Sequence, residues 1–218
     1  MSDPLHEVLA RSVAVSVSAT LIALAIGIPL GTALALSRMR GRRLLATVAN
    51  TGMAVPTVVV GLLVALVLWR SGPLGNLDLI YTLRGMVIAQ VLIATPLITG
   101  ITMAALQALP PELPDQLRAL GASRAQMIVR LWLEARLPLL AAAMAGFGHA
   151  ISEVGAATIV GGNLHGQTQV MTTAIVEDVG RGDFASAIVY AAVLLALAFA
   201  INGLLTSVQQ RSAAWAQS

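Results

Sequence analysis

The chain has no cysteine and no lysine. Without cysteine there is no disulfide framework and no thiolate to serve as nucleophile or metal ligand. Without lysine there is no P-loop amine for a nucleotide phosphate and no Schiff-base amine. Charge of either sign is scarce, at 11% of 218 residues against about a quarter in soluble domains. With 57% of residues hydrophobic, a water-soluble fold of this size could not hide its apolar surface, so the surrounding solvent is lipid. Catalytic signatures are missing too. No G-x-x-x-x-G-K-[ST], H-E-x-x-H or G-x-S-x-G is found, and His6, His149 and His165 lack ligand-like spacing. No catalytic residue, metal or cofactor is therefore expected in this chain. Its thirteen basic residues are all arginine. They flank apolar runs, as topology signals do, which argues against nucleic acid as a partner.

What the chain does have is long apolar segments. A hydrocarbon core about 30 Å thick needs roughly 20 residues of helix. Five segments meet this, near residues 8–36, 44–69, 85–108, 138–160 and 184–208. The fold expected is all-α and integral to the membrane, a single domain over 1–218. The first segment, with no basic stretch before it, reads as a helix that stays in the membrane rather than a cleaved signal. Its first half carries Ser12, Ser16 and Ser18. Five spans put Arg38, Arg40, Arg42 and Arg43, then Arg118, Arg124, Arg130 and Arg136, then Arg211 on one side. Arg11, Arg70, Arg84 and Arg181 fall on the other. Nine against four places the N-terminus outside and the C-terminus in the cytoplasm. The outer connections, Arg70–Arg84 and Gly161–Asp183, contain turn residues and are expected as loops.

The cytoplasmic segment 109–137 carries the most information. Pro110, Pro111 and Pro114 suit the opening turn of a helix. Asp115 to Leu120 then reads as a short helix ending near Gly121, and Ser123 as the cap of a second one. The pattern predicts two short helices meeting at a glycine bend.

This segment resembles the "EAA" coupling loop of ABC importer permeases. Asp115-Gln116-Leu117 stands at the triplet, Gly121 at the family glycine, and Leu120-Gly121-Ala122-Ser123 matches the commonest wording around it. The chain departs from the pattern in two places: only the acidic residue of the triplet is kept in kind, and Glu134 replaces the family proline, with a proline following at Pro138. Beyond the loop, Gly27-Ile28-Pro29-Leu30-Gly31, Pro56-Thr57-Val58-Val59-Val60-Gly61 and Ser152-Glu153-Val154-Gly155-Ala156 are similar to spans of molybdate- and tungstate-type permeases. Val160-Gly161-Gly162-Asn163 and Val170-Met171-Thr172-Thr173-Ala174-Ile175 resemble the tungstate branch.

The resemblance implies a type-1 permease domain that works as a homodimer and passes an oxyanion, tungstate first, inward by alternating access. A cytoplasmic ABC ATPase would bind ATP and Mg and dock on Asp115, Arg118, Ala119, Gly121, Ala122 and Ser123. An extracytoplasmic binding protein would deliver the anion, and the location would be a bacterial or archaeal plasma (inner) membrane. Molybdate and sulfate are alternative substrates. An ATP-independent channel or ion-coupled carrier is a rival of another class, and a membrane scaffold a third.

Individual residues keep two readings. Asp115 and Arg118 would face the ATPase or pair with each other at i, i+3. Glu153, a charge inside an apolar span, would fix helix packing, contact substrate or gate the path. Thr172 and Thr173 would offer hydroxyls to an oxyanion or cap the turn before Ala174. Pro29, Pro56 and Pro96 are expected to kink helices, and Gly27, Gly31, Gly146, Gly148 and Gly155 to let helices approach.

Overall fold

The computed structural model describes residues 4–37 and 40–215, with side chains for all of these except 205 and 208–215. Among the described residues every α or β element is helical. Arg38 and the side chain of Arg211, both used in the arginine count above, lie outside the described set.

The first span forms one helix, α1 (Leu5–Leu36), with Pro29 inside it. Most of its buried residues, among them Ser12, Ser16, Ala19, Thr20, Ala23, Gly27 and Gly31, are small. Lipid tails are as apolar as leucine, so helices in a bilayer associate by close packing rather than by hydrophobic exclusion, and small side chains permit it. Helix α1 lies against α4 (Leu83–Gln107) in the most extensive helix pair of the fold. At its tightest point a Cβ on Gly31 would stand 2.6 Å from the Thr99 carbonyl oxygen and 2.7 Å from Thr102 Cβ.

The second and fourth spans are not the continuous helices expected from the sequence. Residues 44–69 become α2 (Arg42–Ala54) and α3 (Thr57–Leu68), bent by 103°. The cause is Pro56. Val55 and Pro56 are both extended, with ψ of 129° and 127°, because a proline disfavours helical geometry in the residue before it and supplies no N–H. So Pro56 breaks its span, whereas Pro29 and Pro96 remain within unbroken helices. Residues 138–160 become α7 (Arg136–Ile151) and α8 (Gly155–Gly161), bent by 56°. Pro138 lies in the first turn of α7, where its missing N–H costs little. Three helices, α1, α4 and α10 (Phe184–Trp215), are long and apolar enough to span a membrane, and counting each bent pair as one span gives five.

The second halves of the two broken spans pack on each other. A Cβ on Gly61 of α3 would meet Ala156 Cα of α8 at 2.6 Å, and one on Gly155 would meet Val58 at 2.5 Å. Val64, Ala65, Leu68, Ala89, Ile93, Ala156 and Val160 form the core there. At this end Tyr81 N–H donates to the Val160 carbonyl at 2.8 Å, and Trp69 meets Tyr81 edge to face. The expected outer loop 161–183 is corrected as well. It holds an amphipathic helix, α9 (Met171–Arg181), which a search for bilayer-length apolar runs passes over.

At the opposite end, α5 (Leu113–Ala119) and α6 (Arg124–Glu134) form the helix pair expected from segment 109–137. Met127 and Leu131 of α6 are buried with Ala105 and Leu106 of α4, against Leu36 of α1 and Leu117 of α5. In α10, by contrast, Ile188, Leu195, Phe199 and Leu204 are exposed, as suits a lipid-facing span.

Candidate functional site

The α5–α6 hairpin is built by caps. Gly121 has φ +82°, a left-handed conformation that glycine adopts without a Cβ penalty. Its N–H donates to the Arg118 carbonyl at 2.9 Å, and Ala122 N–H donates to that of Leu117 at 3.0 Å, closing the end of α5. Ser123 begins α6 with a reciprocal capping box. Gln126 N–H donates to Ser123 Oγ at 3.3 Å, and Ser123 N–H donates to Gln126 Oε1 at 2.8 Å. Asp115 and Arg118 pair at 2.7 Å, both well exposed. Ala119, Ala122 and Ser123 stand in the same bend. At its tip Leu120 is 84% exposed, more than any other large apolar side chain among the described residues. A rigid, capped turn thus presents one leucine and an ion pair outward. Leu120 belongs to the Leu120-Gly121-Ala122-Ser123 wording, but its exposure shows only once its surroundings are known.

The second candidate is the break between α7 and α8. Glu153 sits in it, 6% exposed. Its Oε1 accepts the Ala156 N–H at 2.8 Å, capping α8, and its carbonyl accepts the Thr172 hydroxyl at 2.7 Å. Thr173 turns to Val170 instead: its Oγ1 accepts the Val170 N–H at 3.1 Å and donates to the Val170 carbonyl at 3.0 Å. The structure therefore brings Glu153 and Thr172 together, and places Thr173 as the cap of α9. Ser12 joins from α1, 159 positions away. Its Oγ accepts the Met171 N–H at 2.7 Å and donates to the Val8 carbonyl at 2.8 Å. The i, i+4 spacing of Ser12 and Ser16 was the available signal for a shared polar face.

Ser12, Glu153 and Thr172 line a cavity of about 10 Å³ with Ser16 and Gln90, room for a single water. Gln90 is 4% exposed, and its Oε1 has no hydrogen-bond partner in the structure. No basic side chain lines the space. Acceptors and one carboxylate in so small a volume suit one donor molecule and oppose a tetrahedral anion.

Outside the spans, Glu177 of α9 ties down the 162–170 connection. Its Oε2 accepts from Asn163 Nδ2 at 2.6 Å and Gln169 Nε2 at 2.7 Å, while Oε1 pairs with His165 Nε2 at 2.9 Å and with Arg181. Burial pushes its carboxyl up. The hydrogen bonds from His165 and Asn163, with the charges of His165 and Arg181, outweigh this and hold it below the ordinary 4.5. A carboxyl lowered on folding stabilises fully above its unfolded pKa, and the effect is lost as pH falls through the folded value. Amide exchange in residues 162–170, corrected for intrinsic rates, is expected to rise below about pH 4, as the Glu177 carboxylate is protonated. In Glu177→Ala it is expected to be fast throughout.

Three long apolar helices and two bent pairs, with a capped helix pair at one end, make a helical bundle built for a membrane. The chain matches the family model "binding-protein-dependent transport system inner membrane component" over residues 27–213. The chain belongs to this family and is a permease subunit of an ABC importer. It is 42% identical to the tungstate uptake system permease protein TupB of Peptoclostridium acidaminophilum, over 95% of this chain and 92% of that one. It is 37% identical to a probable anion ABC transporter permease of Haloferax volcanii, over 92% and 88%. Its fold matches a chain of the MetNI methionine ABC transporter in an inward-facing conformation. The TM-score is 0.78 at 18% identity, covering 97% of this chain and 99% of that one.

Proposed function

We propose that this permease passes tungstate inward, as a homodimer with two cytoplasmic ATPase subunits and an external binding protein. The observation that carries the substrate is the 42% identity to a tungstate permease along nearly the whole of both chains. The orientation follows the arginine bias, with the α5–α6 hairpin in the cytoplasm and α9 outside. ATP and Mg belong to the ATPase, because the chain has no phosphate-binding loop. Leu120 and the Asp115–Arg118 pair are the contacts offered to it. The 10 Å³ space at Glu153 is too small for the anion and lined against it, so the path runs along the surface between two copies. Residues there pass the anion on without holding it, and selection rests with the binding protein.

The experiment is uptake of tungstate, molybdate and sulfate at limiting concentration, with the intact gene and with Gly121→Pro. Proline cannot adopt a φ of +82° and removes the N–H bonded to Arg118. Tungstate uptake is expected with the intact gene only, at equal membrane levels of the two proteins. Uptake of molybdate or sulfate in place of tungstate would reassign the substrate. Full uptake by the variant would remove the hairpin from the mechanism.

A further inference from the structure

Helix α6 is joined to α1 by a directional contact. Trp132 Nε1 donates to Thr32 Oγ1 at 2.8 Å, and the same hydroxyl donates to the Ile28 carbonyl at 2.7 Å. Thr32 is 4% exposed and Trp132 half-buried. Each bond in such a chain polarises the next, which strengthens both. Beside the contact a groove lined by Pro29, Ala33, Arg124 and Ile128 separates the two helices. Apolar packing joins them as well, with Leu131 and Met127 of α6 in one cluster with Leu36 of α1 and Leu106 of α4. Apolar packing is non-directional and tolerates sliding; a hydrogen bond weakens steeply with angle and so holds the helices in register.

The position of Thr32 in α1 matters as much as the bond. It follows Gly31, where α1 and α4 approach so closely that a Cβ would strike the Thr99 carbonyl. It lies three residues after Pro29, where the α1 ladder lacks a donor. A displacement of α6 carried by Trp132 therefore reaches α1 at the point where α1 is locked to α4, and both spans move together.

We infer that Trp132 is a transmission residue, positioning rather than catalytic, which converts motion of the docking hairpin into motion of the α1–α4 pair through Thr32. This rests on the reading of segment 109–137 as the ATPase-docking element. The complete importer, reconstituted in liposomes with its ATPase and binding protein, gives three readouts: ATPase co-purification, tungstate-stimulated hydrolysis, and tungstate moved per ATP. Trp132→Phe keeps an aromatic ring and loses the donor. It is expected to retain the ATPase and its hydrolysis while tungstate per ATP falls about two- to tenfold, the worth of one hydrogen bond. Thr32→Val should do the same, the double variant should fall no further, and Thr32→Ser should restore coupling. If Trp132→Phe is poorly inserted, Thr32→Val carries the test. Retained ATPase with unchanged tungstate per ATP in both single variants would overturn the inference alone. An intact permease that captures no ATPase would overturn the docking assignment and the inference with it.

Discussion

Gly31→Ala is expected to cost about 1–3 kcal/mol, the range for forcing atoms into a packed interior, while Gly203→Ala costs nothing. Both glycines sit within helices, so propensity favours alanine at each. The difference is the neighbour. At 31 the added methyl would meet the Thr99 carbonyl oxygen at 2.6 Å and Thr102 Cβ at 2.7 Å; at 203 nothing lies within 4 Å. A carbonyl oxygen and a branched Cβ cannot rotate away, so α1 and α4 must separate. Separation loses dispersion contacts along the whole helix pair. It also loses the close Cα–H to carbonyl approach that glycine permits between membrane helices. Gly27 faces the same helix, where its methyl would meet Ile98 Cγ2 at 2.8 Å and the Thr95 carbonyl oxygen only at 3.3 Å, looser approaches than at Gly31, so a smaller loss is expected. Gly100 is instructive because its methyl would overlap Met53 Cε at 1.6 Å, numerically the worst clash of the four. That atom ends a flexible thioether, which swings aside. Thermal unfolding of the detergent-purified permease should therefore rank Gly31→Ala lowest, then Gly27→Ala, with Gly100→Ala and Gly203→Ala near wild type. A wild-type midpoint for Gly31→Ala would show the helix pair to be looser than drawn.

The contrast between legible and illegible features is physical. The apolar length of α1, α4 and α10 is set by bilayer thickness, a constraint that acts on consecutive residues and so can be read along the chain. The Gly121 bend and the Ser123 cap are local as well: each depends on three or four neighbours, so both can be read along the chain. The breaks at Pro56 and Glu153 cannot. A proline inside an apolar run bends or breaks its helix according to what packs around it; Pro29 and Pro96 stay within continuous helices, and Pro56 breaks its span. Helix α9 escaped because its apolar face, Met171 and Ala174 against Val8 and Tyr190, is only half its circumference. The Glu153 site was visible as one costly charge, but its partners come from Ser12, Gln90 and Thr172, on three other helices. Nothing in the spacing of one segment reports on such convergence. Glu177 was missed for the same reason, since Asn163, His165 and Gln169 are drawn to it by loop closure.

Glu153→Ala and Glu153→Gln separate the two roles a buried carboxylate can have. In the structure its Oε1 caps α8 at Ala156 N–H. Alanine leaves that N–H without a partner where little water can replace it, at a cost of about 1–3 kcal/mol, and Gln90 Oε1 then faces an enlarged polar space with one acceptor fewer. The break between α7 and α8 should loosen, and with it the contact of Gly61 with Ala156 that joins the two broken spans. Glutamine keeps a carbonyl oxygen at the capping position and removes the charge. Its amide adds two donors, which Gln90 Oε1 can use. Glu153→Gln is therefore expected to be at least as stable as wild type and to retain tungstate uptake, while Glu153→Ala loses stability and uptake together. The reasoning is that the site has one water's volume, carries acceptors and has no basic side chain in its lining, so the carboxylate's charge has no anion to meet there. A glutamine variant that folds and inserts normally but transports nothing would show that the charge itself gates the path, and the cap would then be its support rather than its purpose.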